Sequence, residues 1–225
     1  DTVGHATPEG AARVVSFIRG VVDRTGETVG VDWHGHRDRD LAVANALAAY
    51  AAGADRVHGT ILGIGERVGN APLDLILINL KLLGWLDVDL TALPEYAALV
   101  SRVCRVPIPY NYPALGRDSF RTATGVHAAA VIKAQKKGDE WLADRVYSSV
   151  PAGMLGLHQR IEVGPMCGES NVVHWLTAHG HEPDAPLVAH VLARAKRSET
   201  VFEDAELEEI VAGFRRSADG TVSRG

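Results

Sequence analysis

Val31-Asp32-Trp33-His34-Gly35-His36 and, further along, Gly63-Ile64-Gly65-Glu66-Arg67-Val68-Gly69-Asn70 are the stretches on which the fold of this 225-residue chain turns. Thr28 to Trp33 reads as a short strand rich in β-branched residues, and it delivers His34 and His36 at its C-terminal end. Side chains alternate faces along a strand, so imidazoles at i and i+2 point the same way. Arg56 to Leu62 reads as a second strand that runs into the glycine loop. Between them Asp40 is placed to cap a helix with Leu41, Ala44, Leu47, Ala48 and Ala51 on one face, and Gly53 lies just past its end.

Upstream, Thr7-Pro8-Glu9 has the form of a helix start: a capping hydroxyl, proline in the first turn, then an acid near the positive end. Val14, Val15, Ile18 and Val22 follow at helical spacing, and Gly26 ends the stretch. Downstream, Pro72 opens a helix carrying Leu73, Ile76, Leu80 and Leu83, stopped by Gly84. Short strands alternating with amphipathic helices predict an α/β fold with a parallel sheet. The polar residues gather after the strand C-termini, where βα-loops build the site of a (β/α)8 barrel. A doubly wound open sheet satisfies the same pattern.

After Gly84 the pattern changes. Pro94, Pro107, Pro109 and Pro113 mark a helix followed by an irregular crossing. Helices are expected near 119–137, 139–147, 184–197 and 203–215. The expected division is therefore a barrel-like part, residues 1–84, and a mainly helical part, residues 85–225.

A net charge of -5 gives no reason to expect nucleic acid or an anionic membrane as partner. Cys104 and Cys167 are isolated in sequence, which argues against a disulfide framework or a cysteine zinc site and fits a reducing, cytoplasmic setting. No apolar run is long enough to span a bilayer.

The histidine pair suits a divalent metal, as two neutral nitrogen donors. Two unrelated polar residues at a strand end would look the same. Asp32 shares their face and Asp38 follows closely, so either carboxylate is a candidate ligand or a group that orients a histidine. Gly63, Gly65 and Gly69 allow close backbone approach or positive φ. Their spacing is a poor dinucleotide fingerprint, but Glu66, Arg67 and Asn70 put a carboxylate, a guanidinium and a carboxamide at one strand end. In the second half, Gly125-Val126-His127 lies on an expected helix with Tyr147 downstream; alone, such a histidine reads as structural or solvated.

Together these residues carry a resemblance. His34-Gly-His-Arg-Asp-Arg-Asp-Leu-Ala-Val-Ala-Asn45, through Gly53-Ala54, to Gly63–Asn70 is similar to the 2-isopropylmalate synthase and homocitrate synthase family. Those are (β/α)8-barrel, metal-dependent Claisen condensing enzymes. Asp1-Thr2-Val3-Gly4 resembles the family's turn after barrel strand six, and Gly125-Val126-His127 its Ser-Gly-(Ile/Val)-His segment. The resemblance implies the C-terminal part of a TIM barrel followed by a helical subdomain. It makes His34 and His36 metal ligands, with Asn70 a third or closely associated donor, for Mn, Mg or Zn. Thr2 would touch the carboxylate of a 2-oxo acid. Arg67, Gly63 and Gly65 would lie at the substrate, with Glu66 organising the loop near the metal and the acetyl-CoA thioester. His127 and Tyr147 would take part in acid/base chemistry across the subunits of a homodimer.

Three departures stand out: Arg37 where the family usually has Asn, Asp40 where it usually has Gly, and Gly164-Pro165-Met166-Cys167-Gly168 where many members carry Gly-Lys-His-Ser-Gly. They favour a divergent member. The family's strand-one Arg-Asp pair is not in these residues. The expectation is a piece of a longer enzyme, or one chain of a split one, with the rest of the barrel supplied in cis or by a partner. An aldol or Claisen lyase of the same superfamily, and a non-catalytic assembly subunit lending His127 to a partner, are the alternatives.

Overall fold

Helix α1 (Pro8–Thr25) begins as its sequence dictates: Thr7 accepts from the Gly10 N–H, Pro8 occupies the first turn, and Gly26 closes it at φ 72°. This computed structural model describes the backbone of residues 1–222 and the side chains of residues 1–217. Strand β1 (Asp32–Trp33) pairs in parallel with β2 (Arg56–Val57), Asp32 opposite Arg56 and Trp33 opposite Val57. Helix α2 (Ala42–Ala51) joins them, and α3 (Leu73–Leu82) and α4 (Leu93–Cys104) follow. The result is a helix-rich βαβ arrangement with short strands.

Both strands are shorter than expected. Residues 28–31 have the right propensity but no ladder partner, and after Val57 the chain leaves the ladder for a 3-10 turn, Ile61–Gly63. Asp40 does not cap α2. It takes a left-handed conformation, φ 56°, the N-cap is Leu41 with no side-chain bond, and the Asp40 carboxylate accepts from Arg37 instead. The core between α1, α2 and the sheet is alanine-rich, with Ala11, Ala42, Ala46, Ala49 and Ala71 around Trp33, Ile76 and Leu80. Small side chains let the helices approach closely. Val15 is buried there and Val22 packs against it, whereas Val14, Phe17, Ile18 and Val21 form an exposed apolar face on α1.

By contacts the chain falls into two compact units. One comprises Asp1–Gly116 with Met154–Gly156, the other Arg117–Gly153 with Leu157–Gly225. The division thus lies at Gly116 rather than at residue 84, because α4 packs against the 3-10 turn Ile61–Gly63 of the first unit. In the second unit β3 (Arg121–Thr122) pairs in parallel with β4 (Arg160–Ile161), beside α5 (Gly125–Lys136) and α6 (Glu140–Arg145). Helices α7 (Glu169–Ala178), α8 (Ala185–Ala195) and α9 (Asp204–Val222) enclose Val172, Trp175, Leu176, Leu187, Val191, Leu207 and Val211. Helix α7 was not anticipated from the sequence.

Candidate active site

His34 and His36 sit just past β1, where the backbone of residue 1 runs alongside: the Asp1 nitrogen donates to the His34 carbonyl at 2.8 Å, and the His36 N–H to the Asp1 carbonyl at 3.2 Å. The two rings stand edge to face with centroids 5.1 Å apart. His36 is buried and His34 is exposed. Partial loss of hydration first, then the neighbouring His36 and His58, hold the His34 imidazole below its usual pKa, which favours the neutral donor form.

The glycine loop returns Asn70 to this place. His36 and Asn70 form an antiparallel bridge, so their side chains lie side by side. The bridge is bracketed by Arg37 N–H to Gly69 O at 3.1 Å and Ala71 N–H to Gly35 O at 3.2 Å. The loop is closed by Asn70 N–H to Gly63 O, 2.9 Å, and Gly69 N–H to Glu66 O, 2.9 Å. Gly69, at φ 106°, lies so tightly on the Gly63 carbonyl that a Cβ there would overlap it. Gly65 faces the Asn70 carboxamide, which a side chain at 65 would displace.

Asn70 Oδ1 is buried without a hydrogen-bond partner. A buried acceptor left open is costly, and it calls for a donor or a cation. With His36 paired to Asn70 and the His34 ring next to that of His36, the donor types fit a divalent metal in part. Neither aspartate expected near it is available. Asp32 is engaged by Arg56 at 2.9 Å and by His58 Nε2 at 3.2 Å, and Asp38 by Arg67 at 2.9 and 3.0 Å. Those hydrogen bonds hold both carboxyls below the usual carboxylate range. Among the described residues no three His, Cys, Asp or Glu side chains are arranged to hold a metal ion.

The other expected residues fall as follows. Arg67 is tied to Asp38 and to the Thr2 carbonyl at 2.9 Å, so it fixes the loop to the turn at residues 1–4. Thr2 and Glu66 are exposed. Gly63 and Gly65 line a cavity of about 370 Å³ with Arg37, Leu62, Val68, Pro107 and Tyr112. In the second unit His127 stacks on Tyr147, with centroids 3.6 Å apart. Gly125 starts the His127 helix, α5, against the Gly168 backbone, where a Cβ would come within 2.7 Å of the Gly168 nitrogen. A third imidazole, His58, lies 5.6 Å from the His34 ring. Alternation from Arg56 would have found it, since residues 56, 58 and 60 share a face of an extended chain.

A parallel βαβ unit with histidines, a carboxamide and a glycine loop past its strand C-termini has the layout in which folds of the barrel or open-sheet kind place their sites. Residues 1–100 match the HMGL-like family model, and that match gives them a TIM-barrel-type α/β fold. An (R)-citramalate synthase from Aquifex aeolicus is 39% identical over 92% of this chain and 38% of its own length. A homocitrate synthase from Methanopyrus kandleri is 36% identical over 96% of this chain and 52% of its own. A probable 2-isopropylmalate synthase of the same organism is 34% identical over 87% and 37%. Residues 1–100 thus carry an HMGL-like domain, and the chain as a whole is similar to citramalate, homocitrate and 2-isopropylmalate synthases. It spans between about a third and a half of the length of these relatives. No described helix is long and apolar enough to cross a membrane.

Proposed function

We propose that this chain carries the closing βα units and the helical part of a cytoplasmic acyltransferase that condenses acetyl-CoA with a 2-oxo acid to a 2-substituted malate. The observation that carries this reading is the buried, unpartnered Asn70 Oδ1 set beside His36 in a relative of three such synthases. His34, His36 and Asn70 would hold a divalent metal (Mn, Mg or Zn). When bound, that ion supplies Lewis-acid polarisation of the 2-oxo carbonyl. Thr2, at the turn that Arg67 fastens to the loop, meets the 2-oxo acid carboxylate, and Glu66 keeps the loop in place at the thioester. The ring of His127, stacked on Tyr147, takes the proton from the methyl of acetyl-CoA, with Tyr147 holding its orientation. It does so in the site of a neighbouring subunit of a homodimer. The exposed apolar face of α1 is the surface against which the remaining barrel units pack.

The test uses the full-length protein that contains these residues. CoA release is assayed against a panel of 2-oxo acids with each metal, and bound metal is measured for wild type, His36→Ala and His127→Ala. The expected result is CoA release dependent on one 2-oxo acid, metal lost only in His36→Ala, and turnover lost in both variants. Thioester-forming cleavage of a malate-type product without condensation would make the enzyme a lyase. No turnover with any 2-oxo acid, by protein that binds metal normally, would overturn the reading.

A further inference from the structure

We infer that Asp74 is a positioning residue for the glycine loop, clamping Leu62 on one side and Tyr112 on the other, and so setting where Asn70 stands. This rests on the reading that Asn70 serves the site. Asp74, in the first turn of α3, has 0% of its surface exposed. One carboxylate oxygen accepts the Leu62 N–H at 2.6 Å and the other accepts the Tyr112 O–H at 2.8 Å. Carboxylates are almost never buried this completely without a task for the charge.

What the carboxylate holds is informative. Leu62 has φ 59° and ψ 11°, a left-handed conformation that a leucine adopts only when its surroundings impose it, and Gly63 follows at φ 65°. Two consecutive left-handed residues turn the chain away from the β2 direction and start the loop that ends at Asn70. The Leu62 N–H bond to Asp74 fixes that reversal. Tyr112 draws in the irregular segment around Pro107 and Pro109, the opposite wall of the 370 Å³ cavity that the loop lines. A single side chain therefore sets the starting point of the loop and the separation of the cavity walls. A carboxamide of the same shape can do much of this: its oxygen accepts from Leu62, and its nitrogen donates to the Tyr112 hydroxyl oxygen. Alanine can do neither.

The experiment is residue-resolved hydrogen exchange on the full-length protein as wild type, Asp74→Ala, Asp74→Asn and Tyr112→Phe, with kcat and KM for each. In Asp74→Ala the Leu62, Gly69 and Asn70 amides should exchange on the order of tenfold faster or more, as expected for loss of a hydrogen bond to a charged group. Amides of α1 and α2 should be unaffected, and Asp74→Asn should recover the protection. Tyr112→Phe should raise KM with kcat retained, because one wall moves while the Leu62 bond survives. Uniform acceleration through the whole unit would make Asp74 merely structural and overturn the inference, as would unchanged loop exchange. If Asp74→Ala does not fold, Tyr112→Phe decides: parallel loss in kcat and KM together with global exchange refutes the clamp. The exchange pattern is read without substrate, so failure of the proposed activity leaves a separate signature.

Discussion

Gly65→Ala isolates the role of Asn70 from that of the loop backbone. Gly65 is not among the residues at positive φ, so alanine fits its backbone without strain. The new Cβ would overlap the Asn70 carboxamide nitrogen and lie 3.0 Å from its Cγ. Restoring an ordinary separation of about 3.5 Å moves the carboxamide by roughly 1 Å. The cost in stability is small. An off-rotamer side chain costs about 0.5–1.5 kcal/mol, offset by about 0.4–1 kcal/mol from the stiffer unfolded chain. A 1 Å misplacement in a catalytic arrangement costs on the order of 100-fold in rate. The variant should therefore melt within a few degrees of wild type and lose kcat/KM for 2-oxo-acid-dependent CoA release by on the order of 100-fold. Calorimetry and steady-state kinetics on the full-length protein read both. Wild-type kcat/KM with the amide demonstrably displaced would remove Asn70 from the site. A collapse of stability and activity together would mean that the loop, not the side chain, had moved.

Three further outcomes are expected. Burial raises the Asp74 carboxyl above the usual carboxylate range, so the folded state holds that proton more tightly than the unfolded chain. Stability should fall as pH rises from about 4 through the raised pKa and level off above it; Asp74→Asn should abolish this slope in pH-dependent denaturant melts, and a persistent slope would assign it elsewhere. In the second unit the Arg121–Glu162 pair has side-chain exposures of only 7% and 8%, and Glu162→Gln leaves the guanidinium short of its counter-charge. That should cost about 3–5 kcal/mol, seen as a lowered Tm, with the paired replacement Arg121→Met/Glu162→Gln recovering much of it; an unshifted Tm would show the pair to be dispensable. Finally, Asn70→Asp puts an uncompensated carboxylate at the open buried acceptor, so the metal-free variant should melt below wild type and gain more from added Mn, by mass action on the folded state. Equal metal-induced shifts in the two proteins would argue against Asn70 as a donor.

The parts of the fold legible in the sequence were those set by local chemistry. Thr7, Pro8 and Gly26 bound α1 as their residue types require, and Pro72 and Gly84 flank α3. Strand length was not legible, because the β-branched run 28–31 states a propensity while a ladder needs a partner, and only residues 32–33 have one. Asp40 misled because its side chain suits a cap, but its left-handed backbone turns it to Arg37. Helix α7 lacks a Ser, Thr or Asp cap; Gly168 starts it, its N–H bonded to Asn171 Oδ1 at 3.0 Å. Its apolar residues Val172, Trp175 and Leu176, at i, i+3 and i+4, were nonetheless readable. The Asp74–Tyr112 bond could not have been read, since it joins residues 38 apart that belong to no shared motif.

The direction of the His36–Asn70 pairing explains why the glycines fall where they do. β1 and β2 run parallel, so a chain that simply continued from β2 would run beside residues 34–36 in the same sense. The His36–Asn70 bridge is antiparallel whereas Thr60 and Pro72 pair in parallel, so the loop between residues 60 and 72 doubles back at Asn70 before the chain resumes its earlier sense. The chain turns out of the β2 direction at Leu62 and Gly63, both left-handed, and turns again at Arg67 and Gly69, with Gly69 lying on the Gly63 carbonyl. Alanine at 63 or 69 would meet backbone as well as an unfavourable φ, whereas at 65 it meets mainly a carboxamide. The first and third glycines therefore define the path of the loop, and the second leaves room for Asn70. Placement of the amide beside His36 is thus built from main-chain hydrogen bonds, which hold position more firmly than side-chain packing on an exposed loop would.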